Sequence, residues 1–373
     1  MNVLLIGEYS GFALNLKEGL RACGANVVHI HEGDDWKSID QTNDKQSISF
    51  NNCLKHRLKI GPYKIKGTWR LWGAKALWKL SKSVNKYRGY FDVVWIINYQ
   101  FIREEWELWY PRLSYSQLNK VLRFNGRIFF SACGMDLPYC IAATKLPKLY
   151  QGNLDDNVFR TPRLVGKFNK LIRCVEGVIP VMFEYAYSYR NYNFASPVRI
   201  CETIPLPINT ASFSASNHID GKIKILYGKN RIAKGTPFVL AALERIQNEY
   251  SYLVDVQIVE HVPFGKYIDL VKHTNILIDQ CQSYSYGMNA IIGMAAGKVV
   301  LSGNELECQR EFKQEIPIVN IRPNEDFIFN QLEYLITHPE IIDNLSSKSA
   351  LFARNFHDSK LVASRYLALF GNE

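Results

Sequence analysis

The sequence predicts an α/β fold of two Rossmann-like domains facing across a cleft. Three observations carry this expectation. At 373 residues the chain is too long for one ordinary α/β domain and suits two domains of roughly 100 to 200 residues each. Strand-length apolar runs alternate with helix-period or polar stretches throughout, as parallel sheets joined by crossover helices require. That alternation breaks once, at Thr203-Ile204-Pro205-Leu206-Pro207-Ile208-Asn209-Thr210, where two prolines and a run of small polar residues mark a hinge, and then it restarts.

The first half opens with a strand at Val3-Leu4-Leu5-Ile6-Gly7, a turn containing Ser10 and Gly11, a helix over 14–23 and a strand over 26–30, which is a βαβ beginning. Further strands are expected over 92–97, 126–131 and 178–181. After the hinge the expected order is strand 222–227, helix 237–250, strand 254–260, helix 265–273, strand 275–279, helix 288–296 and strand 299–301. Phe352, Phe356, Leu361, Leu367 and Phe370 recur among polar residues and predict closing helices. The domains are therefore expected at 1–205 and 206–350, with 351–373 packing back on the first. Ligands of such sheets sit beyond the carboxyl ends of the strands, so the site is expected between the domains.

Composition excludes several classes. Hydrophobic residues make up 47% and no low-complexity tract occurs, so both halves can bury a core. Apolar runs never reach the length of about 18 residues that a membrane-spanning helix needs. The N-terminus carries neither a basic leader nor a cleavage site, so a cytoplasmic location is expected. The eight cysteines are scattered, without Cys-x-x-Cys pairs or histidines at zinc spacing, which predicts buried reduced thiols and no metal site.

The net charge of +10 is concentrated locally. Between Asp44 and Asp92 there is no acidic residue, while the cations run from Lys45 to Arg88. At helical spacing Trp69, Trp72, Ala76, Leu80 and Tyr87 share one face, and Lys75, Lys79, Lys82 and Lys86 form the adjacent stripe. Two readings follow: residues 55–88 lie on an anionic membrane surface as a peripheral contact, or the aromatic face packs on the first sheet and the lysines are solvated. Nucleic acid is not an expected partner, because no binding motif accompanies the charge.

Two segments of the second half carry chemistry. Tyr227-Gly228-Lys229-Asn230-Arg231-Ile232-Ala233-Lys234-Gly235-Thr236 sets three cations on a strand-to-helix turn, where fixed positive charge and free amides both favour a diphosphate. The loop from Asp279 to Gly287 enters a small-residue helix, and amides at Gly287, Met288, Asn289 and Ala290 offer a second anion-binding terminus.

Together these segments resemble retaining GT-B glycosyltransferases of the large family that builds bacterial capsules, O-antigens and glycolipids. That family grips the donor pyrophosphate with a Gly-Arg-x4-Lys-Gly-like element followed by a Gly-x-x-Ala-x-Glu-Ala-Met-Ala-x-Gly helix. Here Lys229 takes the arginine's place, Lys234 and Gly235 match, and Gly287, Ala290, Met294, Ala295 and Gly297 match at the family spacing. The likeness covers about residues 200–305 well and the first half in outline. It implies a nucleoside-diphosphate sugar as donor substrate, a glycan or lipid-linked saccharide as acceptor, no cofactor and no metal, and retention of anomeric configuration. It also implies a Glu-x7-Glu pair, the first carboxylate near the transferred sugar and the second on the donor ribose. Tyr284 and Ile292 stand at those positions. An isoleucine cannot accept hydrogen bonds from a ribose diol, so donor identity is open, and a non-catalytic GT-B subunit is the alternative to a transferase.

In an active enzyme Lys229, Lys234, Arg231 and the amides from Gly287 to Asn289 would stabilise charge developing on the diphosphate leaving group. The first-half candidates are Ser10 and Gly11, either a donor or acceptor contact or an ordinary turn. Asp136 follows Cys133 and Gly134 in an element similar to the family's His-Gly-x-Asp, and either contacts the acceptor in catalysis or caps a helix. Glu184 and His261 are further candidates, with a surface or capping role the simpler expectation.

Overall fold

The structure is a computed structural model, and it describes residues 1–31, 46–49, 59–60, 63–64, 69–97, 99–103, 113–149, 161–229 and 234–371. Two parallel sheets organise it. The first-half sheet has seven strands, in the spatial order Ser47–Ser49, Asn26–His31, Asn2–Ile6, Phe91–Ile96, Leu122–Ala132, Gly177–Pro180 and Arg199–Ile200. All its neighbouring strands are parallel. Val3, Leu4, Leu5 and Ile6 are fully buried, the unbroken apolar run of a central strand covered on both faces. The second-half sheet has five parallel strands, in the order Val254–Val259, Ile223–Gly228, Ile276–Ile278, Val299–Ser302 and Val319–Asn320. In both sheets the order reverses beside the first strand of the half. A crevice opens beyond the strand ends at such a reversal.

The helices follow from periodicity and punctuation. α1 (Phe12–Ala22) buries Phe12, Ala13, Leu16 and Leu20 on one face. It starts after Gly11, at φ 89°, and stops before Gly24, at φ 84°, where Ala25 N–H donates to Leu20 C=O. α7 (Thr236–Glu249) lays Val239, Leu243 and Ile246 in the core that Ile328, Leu332 and Leu335 of α11 (Glu325–Thr337) also fill. α9 (Met288–Ala295) lies so close to its sheet that a Cβ on Gly293 would sit 2.6 Å from Leu277 Cδ2 and 2.9 Å from Val300 Cγ2. Its small residues are thus a packing requirement.

The C-terminal chain returns across the molecule. After α12 (Glu340–Phe352) a π-helical turn, Ala353–His357, leads into α13 (Ser359–Gly371), which packs on α1 and the first-half sheet. A Cβ on Gly19 of α1 would fall 2.0 Å from Ser359 O, so only glycine permits this approach. Trp95 meets Tyr366 at 4.1 Å and Phe370 at 5.4 Å between ring centroids. Burying Phe370 contributes about 1.5–3 kcal/mol. The hinge is pinned to this return: Ile208 N–H donates to His357 O, and Ser359 N–H to Ile208 O.

α2 (Trp69–Lys86) turns Leu80 and Val84 inward and leaves Lys79, Lys82, Lys86 and Trp78 outward. Trp78 is 58% exposed, with Lys82 Nζ 4.0 Å from its ring centroid. The side chains of Trp69, Trp72, Lys75 and Ala76 lie outside the described residues. No described helix is long and apolar enough to cross a membrane. The described cysteines are unpaired, but the expectation of burial needs correction: Cys140, Cys201, Cys281 and Cys308 are buried, Cys23 and Cys133 half-buried, and Cys174 is exposed.

Candidate functional site

The crevice of the second half opens between the strands Ile223–Gly228 and Ile276–Ile278, where the order of strands reverses. The first strand ends at Gly228 and Lys229, the second at Asp279, so the segments singled out by sequence, fifty residues apart, meet at one switch point. Their loops are knitted together, because Cys281 N–H donates to Lys234 O at 3.1 Å and Gly235 lies against the Cys281 thiol. Burial pushes that thiol up to about 12, so it stays neutral. Lys234 Nζ reaches Asp279 Oδ1 at 3.2 Å. Asp279 Oδ2 accepts from Gly287 N–H at 3.0 Å and Ser302 O–H at 3.1 Å. A fully buried carboxylate therefore holds Lys234 and the start of α9 in one constellation.

Lys229 is exposed, its Nζ 3.2 Å from Glu260. Tyr267 of α8 (Phe264–Lys272) lies over Gly228 and donates its O–H to Asn289 Oδ1 at 2.7 Å, which ties the end of the first strand to α9. The amides of Met288, Asn289 and Ala290 open α9 and have no intrahelical carbonyl to bond. Gly287 N–H, by contrast, is committed to Asp279. Arg231 lies outside the described residues, whereas Lys229 follows the strand Ile223–Gly228, Lys234 is tied to Asp279 at the end of the neighbouring strand, and Gly287, Met288, Asn289 and Ala290 open the helix that follows it. Ile292 is buried in the core. His261, at φ 53°, is a surface residue beside Glu260.

The first-half wall differs from expectation. Glu8, which the sequence reading passed over, is buried, and its carboxylate accepts from the amides of Gly11, Ala13 and Leu14 at 2.9, 3.3 and 3.0 Å. The α1 terminus beside Ser10 and Gly11 is thus already occupied by a side-chain anion, which removes the Gly11 amide as a donor contact. Ser10 adopts φ 52° in the same turn. Asp136 caps α4 (Leu137–Ala143): Oδ1 accepts from Tyr139 N–H at 3.1 Å and Oδ2 from Tyr189 O–H at 2.6 Å. Of its two readings the structure displays the cap, with each oxygen engaged by protein. Burial outweighs those bonds and pushes its carboxyl up to about 7. Cys133 donates to Ile97 O, and burial together with Asp136 and Glu8 raises its thiol.

Tyr284 requires a second correction. It is buried among Ala142, Ala143, Leu146 and Leu149 of the first half, with Phe183 at 5.4 Å between ring centroids, instead of facing the second-half crevice. It plugs a seam between the halves. Beside it Glu305 accepts from Lys148 Nζ at 2.6 Å and from Arg322 Nε and Nη2 at 2.9 and 3.0 Å. Burial alone would raise the Glu305 carboxyl, but Arg322, Lys148 and Asn320 hold it below its usual range. Arg190 grips Glu311 with both terminal nitrogens, at 2.7 and 2.8 Å.

Glu184, expected at the surface or as a cap, is instead buried in this seam at 5% exposure. It sits on α6 (Phe183–Arg190), and its Oε1 accepts from Ser285 N–H at 3.2 Å across the halves. Burial raises its carboxyl above the usual range. Among the described residues, no group of three or more His, Cys, Asp or Glu side chains is placed to hold a metal ion.

No protein-family model matches the chain, and no curated protein matches it by sequence. Its architecture is similar to solved structures over full chain lengths. Sucrose-phosphate synthase from Thermosynechococcus elongatus superposes with a TM-score of 0.63 at 16% identity, covering 100% of each chain. A glycosyltransferase from Rickettsia africae gives 0.57 at 13% identity, over 100% of this chain and 98% of its own. Anabaena HepE in complex with UDP-glucose gives 0.60 at 9% identity and 100% of each chain. The fold is GT-B. At these identities the likeness is one of architecture, two parallel α/β layers facing across a cleft, and the chemistry must come from the residues of this chain.

Proposed function

We propose that the chain is a glycosyltransferase that moves a glycosyl group from a nucleoside-diphosphate sugar to a hydroxyl of a glycan or lipid-linked saccharide. The observation that carries the reading is the convergence of Lys229, Lys234 and the α9 amides on the switch point of the second sheet. Fixed cations and a helix terminus aimed at one place favour an anion there, and the leaving group of this reaction is a diphosphate. Such preorganised groups are each worth on the order of 10² to 10³ in kcat where they meet developing charge. The reaction so read asks for no metal and no cofactor.

In this reading residues 206–350 bind the donor, residues 1–205 bind the acceptor, and 351–373 clasp the first unit. The UDP-glucose bound by HepE supports a uridine nucleotide as the first donor to try. Retention of configuration and a place in cell-surface polysaccharide synthesis follow from the sequence resemblance. Exposed Trp78 beside Lys79, Lys82 and Lys86 supports peripheral contact with an anionic membrane from the cytoplasmic side.

The plugged position of Tyr284 favours one competing reading, a GT-B subunit that binds glycan or a partner transferase without turnover. Thermal shift across UDP, GDP and ADP separates them in part: stabilisation by one of them, lost in Lys234→Ala, is expected of the transferase. No stabilisation by any of them would overturn it. Binding combined with no donor hydrolysis or transfer would favour the non-catalytic subunit.

A further inference from the structure

A cavity of about 830 Å³ opens on the second half beside α10 (Leu306–Phe312), outside the crevice between the strands Ile223–Gly228 and Ile276–Ile278. That volume falls within the roughly 300–1,000 Å³ of small-molecule sites. Its floor is built where the parallel strands Val299–Ser302 and Val319–Asn320 end. Asn304 N–H donates to Asn320 Oδ1 at 2.8 Å, and Asn304 Nδ2 donates to Ile316 O and Ile318 O, each at 3.0 Å. Asn304 is thereby fixed at 5% exposure, and its Oδ1 has no hydrogen-bond partner among the described residues. Native proteins leave few buried acceptors in that state.

The helical wall follows from spacing. Leu306, Arg310 and Lys313 recur at i, i+4 and i+7, so one face of α10 and the residue after it turns to the cavity. The other faces are committed: Cys308 and Phe312 are buried, and Glu311 is gripped by Arg190 of the first half. The cavity face is not. Arg310 and Lys313 are exposed and form no ion pair among the described residues, although Glu315 lines the same cavity. Leu306 is 60% exposed.

Each part of this lining answers to a part of one ligand class. Gln309 and Gln314 carry carboxamides, which donate and accept together and so suit hydroxyls. Leu306 offers apolar surface to the C–H face of a sugar ring. Arg310 presents a fork that matches an acidic group, and Lys313 adds a point charge. Two cations against one carboxylate leave the cavity positive. A hydroxyl seated on the floor also brings the donor that Asn304 Oδ1 lacks. We propose that this cavity is a second saccharide site, separate from the donor crevice, that takes an acidic glycan: Arg310 and Lys313 pair with its anionic group, Gln309 and Gln314 with its hydroxyls. Ser302 O–H bonds Asp279, and the two residues from there to Asn304 span about 7 Å at most, so the cavity lies beside the donor crevice. A glycan held here meets the cleft at raised effective concentration. That last consequence rests on the transferase reading, whereas the site itself does not.

The test is isothermal titration of the full chain with four probes: pentagalacturonate, a heparin-derived sulfated pentasaccharide, neutral maltopentaose and pentaglutamate. Wild type is expected to bind one of the two acidic saccharides at least about tenfold more tightly than maltopentaose and pentaglutamate, and which one tells a carboxylate from a sulfate. The double variant Arg310→Gln, Lys313→Gln should lose at least about tenfold in that affinity, and Glu315→Gln, which removes a like charge, should gain roughly twofold or more. These side chains are exposed, and the thermal shift given by a nucleoside diphosphate should be the same in both variants as in wild type. No binding of either acidic saccharide, pentaglutamate bound as tightly, a double variant that binds like wild type, or loss of the nucleoside-diphosphate response in the variants would overturn the proposal. Failure of wild type to respond to any nucleoside diphosphate would instead count against the donor-site reading alone.

Discussion

His357 gives a prediction that can be worked from the structure in full. The ring is completely buried at the junction of the hinge, the loop that leads into α9 and the C-terminal return. Its Nδ1 lies 2.8 Å from Leu206 O and its Nε2 2.8 Å from Tyr286 Oη. A carbonyl only accepts, so Nδ1 carries the proton and Nε2 accepts from the tyrosine, which is the neutral imidazole. Burial, reinforced by Arg365 and only partly offset by the Leu206 bond, pulls the group down to about 4. In the unfolded chain it titrates near 6.5. Above that value neither state binds the proton and the term is constant. As pH falls from about 6.5 to about 4 the unfolded chain takes up a proton that the folded one refuses, so stability is lost across that window. A difference of about 2.5 units at 1.36 kcal/mol each gives a loss of about 3 kcal/mol, or about 6–12 °C in Tm at the response of larger domains. His357→Gln retains a donor for Leu206 and an acceptor for Tyr286 but does not titrate. It also forfeits ring contacts with Phe352 and Phe356, so its Tm should be lower throughout. The expected result is that the wild-type and variant Tm curves, measured from pH 7.5 to 4, converge as pH falls. Other acid-sensitive groups are common to both proteins and cancel in the difference. Parallel curves would refute the assignment of a neutral His357 to this junction.

Other expectations follow from the same reasoning. Asp136 titrates near 7 folded and near 3.9 unfolded, so the folded state holds the extra proton and stability falls as pH rises between those values. Asp136→Asn should therefore be more stable than wild type at pH 8 by up to about 4 kcal/mol and equal to it near pH 4, and urea denaturation without a gain at pH 8 would contradict this. Gly235→Ala puts a Cβ 2.2 Å from Cys281 Sγ at φ 83°, so it should destabilise by more than the roughly 1–2 kcal/mol of the left-handed backbone alone; an unchanged denaturation midpoint would count against the observed turn. Neutralising Lys79, Lys82 and Lys86 to Gln should weaken binding to anionic vesicles by on the order of 100-fold, at about 1 kcal/mol per lysine. Vesicle co-sedimentation that is unaltered, or equal on zwitterionic lipid, would rule out the membrane reading of α2.

The alternation of strands and helices was legible because parallel strands buried on both faces read as short apolar runs, and the expected boundaries fall within a few residues of those observed. The meeting of the two second-half segments was legible because each follows a strand end: Lys229 and Lys234 flank one turn, and a glycine opens the helix after the other. The seam was not, because it is made by residues without local signal. Glu184 looks like a solvated helix residue until Ser285, a hundred positions away, covers it. Tyr284 reads as part of a polar loop, and only the approach of Ala142 and Leu146 makes it a plug. Glu8 follows the first strand as an ordinary turn residue would, yet its carboxylate folds back to take the α1 amides that an external anion would need. The face of α2 was only partly legible, since docking on the sheet decides that Leu80 turns inward and Trp78 outward.

The central claim is that the second half recognises its donor through the diphosphate. Isothermal titration of wild type and Lys234→Met tests it most directly, using the nucleoside diphosphate that stabilises wild type and the corresponding nucleoside without phosphates. Removing Lys234 leaves Asp279 with its bonds from Gly287 and Ser302, so the fold is expected to survive. Loss of one charge-assisted phosphate contact of about 1.5–3 kcal/mol weakens binding roughly 10- to 150-fold. The account predicts that drop for the diphosphate and little binding of the nucleoside by either protein. A nucleoside that binds as tightly as its diphosphate, or a diphosphate indifferent to Lys234, would contradict it.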